Sequence, residues 1–71
     1  MYNGRYKILH LSIKKDGSID RSVIGVFTAA ADEILSISGD ISKYIDGDVD
    51  ANSISKAFAN SPYFLIVRAN G

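Results

Sequence analysis

Between Tyr6 and Ile13 apolar side chains occupy both parities of an extended chain. Leu9, Leu11 and Ile13 fall on one side; Tyr6, Ile8 and His10 fall on the other. This alternation predicts a first strand. Lys15-Asp16-Gly17-Ser18 then breaks it with a turn, since glycine accepts positive φ without steric cost and aspartate bonds its own backbone. Ser22 to Thr28 (SVIGVFT) is rich in β-branched and aromatic residues and suits the second strand of a hairpin. The same stretch also carries helical spacing, because Ile24, Phe27, Ala31 and Ile34 recur at three and four residues. The hairpin is favoured, because a short Asp-Gly turn joins two β-rich runs. Gly25 weakens either element.

Ala29 to Ile37 (AAADEILSI) predicts a helix, with Thr28 as its cap and Gly39 as its stop. Asp40 to Ile45 adds one further turn, ended by Gly47, and residues 48 to 52 form a polar loop. Ser53 to Asn60 predicts a short helix that gathers Ile54, Ala57 and Phe58 on one face. Pro62 prevents its continuation and opens a last strand, Tyr63 to Arg68, in which every residue before the arginine is apolar. Such a run is expected in a central strand covered on both faces.

The resulting order is β-β-α-α-β: a single α+β domain spanning residues 1–71, with a three-stranded, mainly antiparallel sheet and helices on one face. Those helices are expected to cover Leu9, Leu11, Ile13, Leu65 and Val67. Tyr6, Ile8, His10, Phe64 and Ile66 then remain on an open face and form the candidate interface. An exposed patch of that kind marks a contact site, and a second copy of the chain is its simplest occupant, giving a homodimer.

Composition sharpens this expectation. A chain of 71 residues lies near the size at which one core is barely sufficient, and it has no cysteine to staple the fold. Apolar residues make up 46% and charged residues 23%, an ordinary globular balance. Asp32 and Glu33 interrupt the longest apolar stretch, so no spanning helix is expected, and the reading is a soluble, cytoplasmic protein. Net charge is zero but polarised. Arg5, Lys7, Lys14, Lys15 and Arg21 outnumber Asp16 and Asp20 near the start. Asp32, Glu33, Asp40, Asp46, Asp48 and Asp50 then face Lys43 alone.

Candidate chemistry is sparse. Asp46-Gly47-Asp48-Val49-Asp50-Ala51-Asn52 places oxygen-bearing residues at alternate positions, as a hard cation requires. The EF-hand pattern then fails, with Ala51 where glycine makes the sharp turn and Ala57 where a bidentate glutamate closes the site. An acidic, helix-capping loop is the favoured reading, with weak divalent-cation binding as an alternative. His10 is the sole histidine, which excludes a multi-histidine site within one chain; at a dimer axis it would meet its own copy and make association sensitive to pH. No serine lies in a G-x-S-x-G elbow, and the glycines fit no phosphate-binding spacing. No enzyme activity, cofactor or metal is therefore expected. Nucleic acid is a possible but disfavoured partner, through a basic hairpin carrying Lys14, Lys15 and Arg21 with Tyr2 and Tyr6. The expectation is a small non-enzymatic interaction or regulatory module that acts as a homodimer or through a protein partner.

Overall fold

A computed structural model of the chain describes residues 1–69. Four strands run β1 Gly4–Ile13, β2 Ile19–Ala30, β3 Glu33–Gly39 and β4 Phe64–Arg68, and they form one antiparallel sheet in the order β3-β2-β1-β4. Between β3 and β4 lie a 3-10 turn, Ile41–Tyr44, and the helix α1, Ala51–Ile54, which continues as a π turn over Ser55–Ala59. The fold is therefore a small α+β domain, with four strands where three were expected.

The first hairpin forms as its sequence predicts. The Lys14 amide donates to the Ser18 carbonyl at 2.8 Å and the Gly17 amide to the Lys14 carbonyl at 3.0 Å, with Gly17 at φ +89°. Asp16 locks the turn by accepting from the Ser18 amide at 2.9 Å and the Ser18 hydroxyl at 2.6 Å.

The helix expected over Ala29–Ile37 is instead a tight turn followed by β3. Ala31 (φ 50°) and Asp32 (φ 67°) are both left-handed, the geometry that lets a two-residue loop follow the twist of its flanking strands. Neither residue is glycine, so the turn is strained, and Tyr2 holds it from outside. The Tyr2 amide donates to the Asp32 carboxylate, and the Asp32 amide donates to the Tyr2 carbonyl at 2.9 Å. The register along β2–β3 shifts between Thr28 and Ala29, which leaves Leu35 as an extra residue. Ile34 and Ile37 consequently sit opposite Ala29 and Phe27 on one face, although they are three residues apart.

The last strand also differs from expectation. β4 is an edge, and β1, paired with β2 on one side and β4 on the other, occupies the interior.

The core lies between the sheet and the helical segment. Tyr6, Ile8, Phe27 and Ala29 of the sheet pack with Ile41, Ile54 and Phe58. Gly25, opposite Ile8, makes this possible: a Cβ there would run into the Ile41 side chain and stand 2.6 Å from the Ser38 carbonyl. Asp50 starts α1 with a reciprocal cap, accepting from the Ser53 amide at 2.8 Å while its own amide donates to the Ser53 hydroxyl at 2.8 Å.

Candidate interaction surface

The two sheet faces have exchanged the roles expected from sequence. Tyr6 and Ile8 are buried, Phe64 and Ile66 pack half-buried against the core, and half-buried His10 lies 5.2 Å from the Phe64 ring. All five belong to the covered face. The alternation holds, but the helical segment covers the opposite side from the one expected.

Aromatic size explains the inversion. Tyr6 stacks on Phe27 at 5.2 Å, and Tyr2 meets both edge-on at 5.3 and 5.4 Å. Phe58 meets Phe64 at 5.0 Å, and Tyr44 closes against both. Rings that bury 150–250 Å² each outcompete aliphatic side chains for the limited cover that so few helical residues provide. Arg68 adds a cation above the Tyr6 ring at 5.2 Å and donates to the Asn3 carbonyl at 3.1 Å.

The outer face is built by strand pairing. Leu9 stands opposite Val23 on β2 and Leu65 on β4, Leu11 opposite Arg21, Ile13 opposite Ile19, and Lys7 between Val26 and Val67. Among the described residues no element covers this side over the hairpin end. Ile13 is 80% exposed, Ile19 61% and Val23 54%. Tyr63, just before β4, joins them at 65%, and its carbonyl accepts the Leu11 amide at 2.8 Å. A groove of about 570 Å³ lies at this end, lined by Leu11, Ile13, Ile19, Pro62 and Tyr63 together with His10 and Ser12 of the other parity of β1. The cations of the face are Arg5, Lys7 and Arg21, with Glu33 at its far corner opposite Ala30.

The other sequence candidates do not converge on a reactive site. Asp50 is committed to its cap, the Ser53 hydroxyl also donates to the Asp48 carbonyl at 3.0 Å, and among the described residues no three His, Asp or Glu side chains come together. Lys14 and Lys15 stand at the exposed hairpin tip. Tyr6, which would have offered a ring for base stacking beside them, is in the core and Tyr2 is packed against it. Among the described residues no helix is long and apolar enough to cross a membrane.

The site is thus an open, mixed aliphatic and cationic sheet face on a small antiparallel α+β domain. Comparison with protein families, with curated proteins and with solved structures finds no match to this chain.

Proposed function

We propose that this chain is a non-enzymatic protein-interaction or regulatory module, acting as a homodimer or through a protein partner, and that the outer sheet face carries the contact. The observation behind this reading is the cluster of exposed branched aliphatic residues around Leu9: Ile13, Ile19, Val23 and Leu65, with Tyr63 at its margin. A contiguous apolar patch that no element of the fold covers is a site of association. Its groove is lined mainly by Leu11, Ile13, Ile19, Pro62 and Tyr63, with His10 and Ser12 as the polar members, a sparser set than the convergent polar groups of a substrate pocket. A nucleic-acid partner fits this surface less well, because base recognition relies on rings and forked donors and the centre of the patch offers Leu9, Val23 and Leu65.

Cross-linking in the cells that make the protein tests this reading, comparing wild type with Val23→Asp/Leu65→Asp. Protein adducts through the outer face, including self-adducts, are expected in the wild type and lost in the variant. An unchanged set of adducts in the variant, or adducts that vanish on nuclease treatment, overturns the reading.

A further inference from the structure

Two copies of this chain bury their outer sheet faces against each other, we infer, with the two β1–β2 hairpin ends lying across the partner sheet. The inference rests on the outer face being the contact surface and adds the identity of its occupant. Three observations select a second copy.

The first is shape. The Cα radius of gyration is 12.3 Å, whereas a compact lone domain of this length has about 11 Å. The accessible surface is 4825 Å², against about 4,300 Å² for a folded monomer of 7.7 kDa. The excess belongs to the hairpin: from Ser12 to Val23 every residue is exposed, while β3 begins to flank β2 only at Gly25. An arm of this kind adds surface to a monomer and contact to a dimer.

Area is the second. The surface exposed by Ile13, Ile19, Val23, Tyr63 and Leu65, side chain and backbone together, is on the order of 600 Å², against the roughly 800 Å² per partner of a standard stable interface. A flat face that supplies this on both partners at once satisfies the symmetric requirement with a single patch. Sheets stacked in this way interdigitate about 10 Å apart, which suits branched aliphatic side chains better than rings.

Core size is the third. Among the described residues seven hydrophobic side chains are buried, and the chain has no cysteine to supplement them. Small domains of this kind draw on oligomerisation for the rest of their stability.

The charges set a further expectation. Each copy brings Arg5, Lys7 and Arg21 to the same face against Glu33, so the net positive faces of two copies repel at low ionic strength, and added salt tightens the dimer. An acidic partner on the same face would show the opposite trend.

Analytical ultracentrifugation of the pure protein over a wide concentration range, repeated from low to high salt, is the test. A dimer that tightens with salt, and whose Kd rises at least about tenfold in Val23→Asp/Leu65→Asp with an unchanged far-ultraviolet circular dichroism spectrum, supports the inference. Should the aspartates impair folding, Val23→Thr/Leu65→Thr keeps strand propensity and is expected to weaken the dimer in the same direction. A dimer untouched by both pairs, or one that loosens with salt, overturns it. A monomer at every concentration overturns it too, and an apolar dye then separates the causes. Dye bound by wild type and not by the aspartate variant leaves the face as a contact site for a different protein; no dye bound by either removes the contact reading as well.

Discussion

The covered and the outer face of the sheet are both apolar, yet they are apolar in different ways. Tyr6 and Phe27 are stacked on the covered side, with Gly25 cut away so that Ile41 descends onto the sheet. Across the same strands, the outer side presents Leu9, Val23 and Leu65 with cations among them, and the hairpin end of this side is open. Alternation places apolar groups on each side, and size then decides which side is filled. A large ring needs a shaped receptacle, which here comes from Ile54 and Phe58 of the helical segment, whereas a branched aliphatic side chain is satisfied by any flat apolar partner. The covered face is specific to this chain's own helices, and the outer face is generic enough to meet a second sheet.

The sharpest way to break this comparison is to remove a ring from the covered face. Phe27→Ala deletes a fully buried side chain that contacts both Tyr2 and Tyr6, and such truncations cost about 3–5 kcal/mol. A domain of this size has a total stability of about 3–5 kcal/mol, so the expected result is loss of the cooperative thermal transition by circular dichroism. A variant melting within a few degrees of wild type would show that the ring cluster is not the core. On the outer face, Val23→Thr is expected to leave the stability of the dissociated monomer within about 0.5 kcal/mol, as exposed sites do.

Next in size is Gly25→Ala, which tests whether the covered face depends on close approach rather than on apolar area alone. The added methyl would meet the Ile41 side chain and stand 2.6 Å from a backbone carbonyl, so either the 3-10 turn or β3 must shift. Overpacking of this kind costs about 1–3 kcal/mol. Chemical denaturation reads it directly, and a neutral or stabilising result would mean that Ile41 moves aside freely.

Legibility in the sequence follows the same division. The first hairpin, its Asp16-Gly17 turn, the short helix ended by Pro62 and the final strand are each marked by local chemistry that the fold respects. β3 was hidden by two coincidences. Its turn, Ala31-Asp32, lacks the glycine or asparagine that two left-handed residues normally require, and it is held instead by Tyr2 from far along the chain. Its bulge at Leu35 moves Ile34 and Ile37 onto one face at a three-residue interval, which imitates a helical stripe. The irregular pairing near Ile24 does the same for Ile24 and Phe27. Alanine propensity completed the disguise, and strand pairing overrode it. That one apolar face stays uncovered was legible; which of the two it is was not. Tyr6, Phe27 and Phe64 all sharing one side was the available signal, and weighing ring size above alternation would have found it.

A smaller effect is expected from Asp50→Ala, which removes the side-chain acceptor for the Ser53 amide at the start of α1. Loss of such a cap costs about 1 kcal/mol. The helix carries Ile54 and leads to Phe58, so the loss should propagate to the covered face and lower the melting temperature, without changing the affinity of the proposed dimer when compared at a temperature where both proteins are folded. An affinity that weakens in step with stability would mean that the two faces are coupled through the sheet. Calcium separates cap from cation site: a carboxylate serving only as a cap leaves wild-type melting unmoved by millimolar calcium or a chelator.

The smallest effect lies at the hairpin tip, which belongs to neither face. The Ser18 hydroxyl, and then the Ser18 amide, hold the Asp16 carboxyl below its usual range. A lowered folded value means that the turn gains stability above the ordinary carboxylate range and loses it as pH falls through the lowered folded value. Ser18→Ala removes the larger of the two causes, so the Asp16 midpoint should move up towards that of an unstructured aspartate in a carbon-detected NMR titration, narrowing the pH window in which the turn is reinforced. An unmoved midpoint would assign the effect to the amide alone. Because the group is fully exposed, the accompanying loss of stability at neutral pH should be small and move the melting temperature little. The titration also bears on the proposed dimer: a midpoint that is the same in the outer-face aspartate pair places Asp16 beyond the proposed contact, and one that differs would bring the end of the arm within reach of a second sheet.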